Sequence, residues 1–172
     1  RNGFHGARID VIAALTNTSK QTIYYHYESK FGLYAAVVAK IFDSIRAFYA
    51  ELRCEDFPPV EALKFFVSTT FDWYRDNEPL IRVVMDENIN FGSSTAQMQG
   101  LRDLEEPALA TLRSICVRGV ANGSIRSDID PMHLHLTISA LCFYNVANRY
   151  TVAATLDHDM RDDDAHRARR EN

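Results

Sequence analysis

An all-α fold is what this sequence predicts, and three observations predict it. Apolar residues recur at i, i+3 and i+4 through the long segments, prolines fall at the edges of those segments, and no stretch alternates with period two between hairpin turn residues. A helical period puts every third or fourth side chain on one face, so each such run specifies a helix that must bury one stripe.

Taken in order, Ile9, Ile12, Ala13 and Leu15 mark a short helix over 7–15. Asn17 follows as a turn residue, because asparagine tolerates the left-handed region. Ser19 is an N-cap for a second short helix from Lys20 to about Tyr25, and Ser29, after the polar break at Glu28, caps a long helix from Lys30 to about Arg53. Cys54 to Pro59 reads as a linker, with Pro59 suited to a first helical turn. Helices are then expected over Val60–Asp76 and from Pro79 to about Asn90. A loop follows at Phe91-Gly92-Ser93-Ser94, and a short helix around Met98, Leu101 and Leu104. Pro107 opens a helix that stops at Asn122-Gly123, and Asp130 caps one that starts at Pro131 and continues to about Val152. The charged tail from Asp157 reads as solvated, with a short helix at 164–170.

The stretch from Ala7 to Lys30 carries the chemistry. It is a short amphipathic helix, a tight turn and a second short helix, the arrangement in which the second helix enters the DNA major groove by its N-terminus. Lys20 and Gln21 fall at that N-terminus; lysine suits guanine O6 and N7, and glutamine suits adenine N6 and N7. Arg8, Ser19, Thr22, Tyr24, Tyr25 and His26 add hydrogen-bonding groups, and Lys30 stands at the next helix start, where charge and dipole both favour phosphate. Ile23 and Tyr27, at i and i+4, are expected to serve the core. Charge is divided accordingly. Residues 1–40 hold Arg1, Arg8, Lys20, Lys30 and Lys40 against Asp10 and Glu28, a basic head on a chain of net charge −4.

This segment resembles the DNA-binding region of the tetracycline-repressor family. The matching elements are Phe4, the Ile12-Ala13 step, the turn at Asn17, Ser19-Lys20-Gln21-Thr22-Ile23-Tyr24, Tyr25-His26-Tyr27 and Ser29-Lys30. Ala7-Arg8 departs from the family's usual capping pair, Asn17 replaces a glycine, and Thr18 replaces a valine. The resemblance implies a first helix ending near Arg1-Asn2-Gly3-Phe4, so the head is expected without most of that helix. It further implies a DNA-binding domain over 1–45 and a helical ligand-binding and dimerisation domain over 46–172. The expected function is a ligand-responsive regulator, a repressor released from a palindromic operator on double-stranded DNA by a small apolar or aromatic effector. A helical protein-interaction adaptor that does not bind DNA is the alternative.

In the second domain, aromatic and polar residues at helical spacing suggest an effector site formed by Phe66, Thr70, Trp73, Met85, Asn88 and Phe91. The last strong helix is apolar on more than one stripe, which one core face does not require. With the helix at 107–122, as the resemblance implies, it is expected to form a homodimer interface at Leu112, Ile115, Ala140, Phe143, Tyr144 and Ala147. No enzyme is expected. His133 and His135 are two apart and do not share a helix face, Asp86 and Glu87 point apart, and no glycine-rich phosphate loop or serine elbow is present. Neither a metal nor a cofactor is expected. Cys54, Cys116 and Cys142 lack metal-ligand spacing, no apolar run reaches the roughly 18 residues of a membrane span, and no charged leader precedes an apolar stretch. A cytoplasmic protein with reduced thiols is the expectation.

Overall fold

The structure, a computed structural model, describes residues 3–90, 92 and 107–171. Every regular element among the described residues is helical: α1 Gly3–Gly6, α2 Ile9–Leu15, α3 Lys20–Tyr27, α4 Lys30–Ala50, α5 Pro59–Asp76, α6 Glu78–Ile89, α7 Pro107–Ala121, α8 Pro131–Ala147, α9 Arg149–Leu156 and α10 Asp163–Glu171, with a 3₁₀ turn at Cys54–Asp56. The helix expected around Met98, Leu101 and Leu104 lies outside the described residues. Backbone packing divides the chain into two compact units, residues 1–45 with 82–104, and residues 46–81 with 105–172.

In the first unit, α2 and α3 close on a small core of Ile9, Ala13 and Ile23, with Ile12 and Leu33 packed against it. Asn17 adopts φ 51° between the two helices, the left-handed turn expected of it. Ser19 caps α3, its Oγ accepting from the Thr22 N–H at 3.0 Å. At the other end Glu28 takes φ 61°, which breaks α3 from α4. Ser29 then caps α4 by accepting from the Gly32 N–H at 2.9 Å.

The second unit is built on α5, α7 and α8, which pack on one another. Their shared core includes Ala62, Phe66, Thr70, Leu112, Ile115, Ile138, Cys142 and Val146. Full burial of a Phe or Leu side chain stabilises by about 1.5–3 kcal/mol, so these positions hold the three helices together. Tyr49, at the end of α4, stacks on Phe66 with ring centroids 5.4 Å apart. Arg118 of α7 donates to the carbonyls of Cys54 and Phe57 at 3.0 and 2.9 Å, fixing the 3₁₀ turn on the outside of that core. Asp130 caps α8 by accepting from the Met132 N–H at 2.7 Å, and Pro131 stands at its first position.

Two expectations need correction here. The helix predicted to run from Pro131 to about Val152 is two helices. Asn148, at φ −104° and ψ 2°, leaves the helical path, and Arg149 opens α9. The break places the Arg149 guanidinium in the interior, where it donates to Glu78 Oε2 at 3.0 Å with its side chain only 6 % exposed. Nor is the charged tail wholly solvated. His166 of α10 is buried, stacks on Phe71 at 4.7 Å, and holds Asp72 Oδ1 at 2.9 Å, while Arg170 donates to the other oxygen of that carboxylate at 2.8 Å.

Candidate nucleic-acid interface

The second helix of the head presents a polar and aromatic surface because one apolar side chain anchors it. Ile23 is buried in the small core, and the residues around it, Lys20, Gln21, Thr22, Tyr24, Tyr25 and His26, are all exposed. Tyr25 is the most open of its aromatic residues at 82 %. Its ring meets His26 edge-on at 5.2 Å. The N-terminus of α3 is held rigid by Ser19, whose hydroxyl also pairs with the Thr22 hydroxyl at 2.9 Å. A capped, short helix with long donors at its first turn is the geometry needed to place side chains against base edges. Tyr27 corrects one expectation: it is 39 % exposed, so Ile23 alone of that pair serves the core.

Two of the predicted contacts are already engaged. Arg8 lies where the usual capping residue is missing. It makes no cap bond to α2, and its guanidinium is held bidentate by Asp10, at 2.7 and 3.2 Å. Arg8, ahead of Lys20, draws the Asp10 carboxyl below its ordinary range. The signal for that pair was the two-residue spacing itself. Lys30 donates to the His5 carbonyl at 3.2 Å and sits 4.9 Å above the Phe4 ring. Its partner lies 25 positions away, so nothing in the local sequence distinguished it from a free cation.

The effector residues are distributed between the two units. Phe66, Thr70 and Trp73 belong to the second; Met85 and Asn88 belong to the first; Phe91 lies outside the described residues. Phe66 and Thr70 are completely buried, and Trp73 stacks on Phe48 at 4.9 Å. Asn88 is exposed and returns its amide to the Val84 carbonyl at 2.8 Å. A cleft of about 250 Å³ in the second unit is lined by Cys54, Glu55, Ala110, Thr111, Ser114, Ile115 and Arg118, none of them among the six.

Among the dimer candidates, Leu112 and Ile115 need correction. Both are fully buried against α5 and α8 in their own protomer, so neither is open to a second copy. Ala140 and Tyr144 are exposed, and Phe143 and Ala147 are half-buried. Apolar residues that face outward on α7 and α8 include Val117, Val120, Leu136 and Leu141, between 42 % and 69 % exposed. On α8 the signal was apolar content beyond one stripe, since its buried side is already supplied by Ile138, Cys142 and Val146.

No group of three or more His, Cys, Asp or Glu side chains among the described residues could hold a metal ion. Among the same residues, no helix is long and apolar enough to cross a membrane.

Comparison with known proteins matches this arrangement at both ends of the chain. Residues 1–37 match the family model for bacterial regulatory proteins of the tetR family, and residues 59–172 match a tetracyclin repressor-like C-terminal domain. The chain belongs to the tetracycline-repressor family of transcriptional regulators, and is by membership a ligand-responsive DNA-binding protein. It is similar to the HTH-type transcriptional repressor NicS of Pseudomonas putida, 33 % identical over 165 residues that cover 96 % of this chain and 78 % of NicS. It is also similar to the HTH-type transcriptional regulator RutR of Escherichia coli, 33 % identical over 138 residues, 80 % of this chain and 63 % of RutR. Among solved structures it shares its fold with the regulator FadR from Bacillus subtilis in complex with stearoyl-CoA. The TM-score is 0.64 at 18 % identity, covering 99 % of this chain and 88 % of FadR.

Proposed function

We propose that this protein is a cytoplasmic, homodimeric repressor that reads a palindromic DNA site with α3 and leaves it when a small apolar or aromatic effector binds the C-terminal helices. The observation that carries the reading is the exposed face of α3, with Lys20, Gln21, Thr22, Tyr24 and Tyr25 arrayed around a single buried Ile23. Lys20 and Gln21 read base edges. Thr22, Tyr24, Tyr25, His26 and Lys30 meet phosphates, and Arg8 joins them once it releases Asp10. Repression is supported by likeness to NicS, which is itself described as a repressor.

Dimerisation is supported by α8. The helix carries more apolar surface than its buried side uses, for Leu136, Ala140, Leu141 and Tyr144 face outward beside His133 and Thr137. Two-fold binding to a palindromic site calls for two α3 helices about 34–36 Å apart, one turn of DNA. The effector reading rests on the aromatic cluster at Trp73, the only tryptophan of the chain, which stacks on Phe48 and meets Tyr74 edge-on. Population of a state with a different α3 spacing would then lower affinity for the operator. Three free, buried thiols fit a reducing compartment.

Selection of binding sites from random-sequence duplexes, followed by footprinting, tests the proposal. A two-fold symmetric site is expected, with Lys20→Ala losing roughly 1–3 kcal/mol of specific binding while helicity is unchanged. A screen of aromatic acids and hydrophobic compounds, read by Trp73 fluorescence and by release of that duplex, tests the effector. Failure to select any sequence would overturn the repressor reading in favour of a helical adaptor.

A further inference from the structure

We propose that Asp86, on α6, is a positioning residue for DNA binding: its carboxylate fixes Phe4, and Phe4 in turn fixes Lys30 at the start of α4. The inference rests on the reading of Lys30 as a phosphate contact and names the residue that controls it.

Two donors from distant parts of the head converge on one oxygen. The Phe4 N–H and the Tyr34 hydroxyl each donate to Asp86 Oδ2 at 3.2 Å. Gly3 makes this approach feasible. It takes φ +60°, and a Cβ there would lie 3.0 Å from Asp86 Oδ1, tighter than ordinary packing allows. Burial, together with the Asp86 and Glu87 carboxylates, pushes the Tyr34 hydroxyl well above its ordinary range, so it stays protonated and donates. A carboxylate accepting two such bonds is a stronger and more directional anchor than a neutral acceptor.

What Asp86 anchors is a hub. The Phe4 ring packs 5.0 Å from Tyr34 and meets Phe31 edge-on at 6.3 Å. Lys30 closes the cluster from the other side, its ammonium 4.9 Å over the Phe4 ring and 3.2 Å from the His5 carbonyl. The cation that begins α4 is therefore placed by a ring whose own backbone is held from α6. Without the Asp86 anchor, Phe4 loses its amide partner, and Lys30 loses both the ring and the carbonyl that define its position.

The test is a double-mutant cycle on the full chain, read as affinity for a selected duplex across a salt series. Lys30→Ala is expected to weaken binding about tenfold and to lower the salt slope by about one phosphate contact. Asp86→Ala is expected to lower the slope by the same step, with circular dichroism unchanged, and the double variant to bind no more weakly than Lys30→Ala alone. A wild-type slope in Asp86→Ala, or effects that multiply in the double variant, overturns the coupling while leaving Lys30 as a contact. A Lys30→Ala protein with wild-type affinity and slope removes Lys30 from the interface, which is a separate failure of the underlying reading and takes the proposal with it. Should Asp86→Ala not fold, Asp86→Leu, which removes the acceptor at similar volume, runs the same cycle, and additivity with Lys30→Ala overturns the proposal.

Discussion

Gly32, in the first turns of α4, faces the carbonyl oxygen of Tyr27 so closely that a methyl group on its Cα would collide with that oxygen. The contact pins the start of α4 to the end of α3 across the Glu28-Ser29 break, and the obstacle is backbone, which cannot rotate aside. Gly32→Ala is therefore expected to destabilise the head by about 2–3 kcal/mol. Chemical denaturation and DNA binding check it; a Gly32→Ala protein as stable as the parent and fully active would show that the two helices are free to separate.

Ser19 serves both the fold and the interface, and two substitutions separate these roles. Its Oγ satisfies the Thr22 N–H, so Ser19→Ala is expected to cost about 1 kcal/mol of stability. Ser19→Asp keeps a capping oxygen and favours the helix dipole, so stability is retained. It also sets a negative charge at the helix end proposed to face DNA, so affinity falls. Thermal melts beside salt-controlled binding distinguish the two; equal affinity for Ser19→Asp and the parent would move the DNA away from this end of α3.

Tyr144 and Leu136 are the best probes of the proposed dimer. Both are more than half exposed on α8, and neither belongs to the buried side of that helix. Tyr144→Glu, alone or with Leu136→Glu, is expected to give a folded monomer in sedimentation at micromolar concentration, with operator affinity sharply reduced because only one α3 engages at a time. Leu112→Ala, by contrast, removes buried core and is expected to cost about 2–5 kcal/mol of stability. An unaltered sedimentation coefficient for the double α8 variant would rule this face out.

Cys142 provides a pH handle. Burial pushes its thiol from an ordinary value of 9.0 up to about 12. The folded state holds this proton more tightly than the unfolded chain does. Its contribution is therefore complete below about pH 9 and is lost as pH rises through the window up to about 12. Cys54 and Cys116 are also raised by burial. All three thiols are expected to resist a thiol reagent at about pH 8 until denaturant is added, and Cys142→Ala to flatten the alkaline loss of stability. Rapid labelling of Cys142 in the native protein would contradict the packing of α8 on α5.

Whatever is local in this protein could be read from the order of its residues. The helical periods, the caps at Ser19 and Asp130 and the left-handed turn at Asn17 each depend on residues a few positions apart, where backbone sterics and short hydrogen bonds act without the rest of the chain. The exposed face of α3 was legible for the same reason, since one buried Ile23 fixes where its neighbours point. Packing of the folded chain settled what joins distant residues: Phe4 with Asp86, 82 positions apart; Glu78 with Arg149, 71 apart; and Asp72 with His166, 94 apart. It also settled which apolar side of α7 and α8 turns inward. On an apolar helix the period fixes the spacing of the stripes, but only the packing partner chooses between them, so Leu112 and Ile115 went to the core and Val117 and Leu136 to the surface.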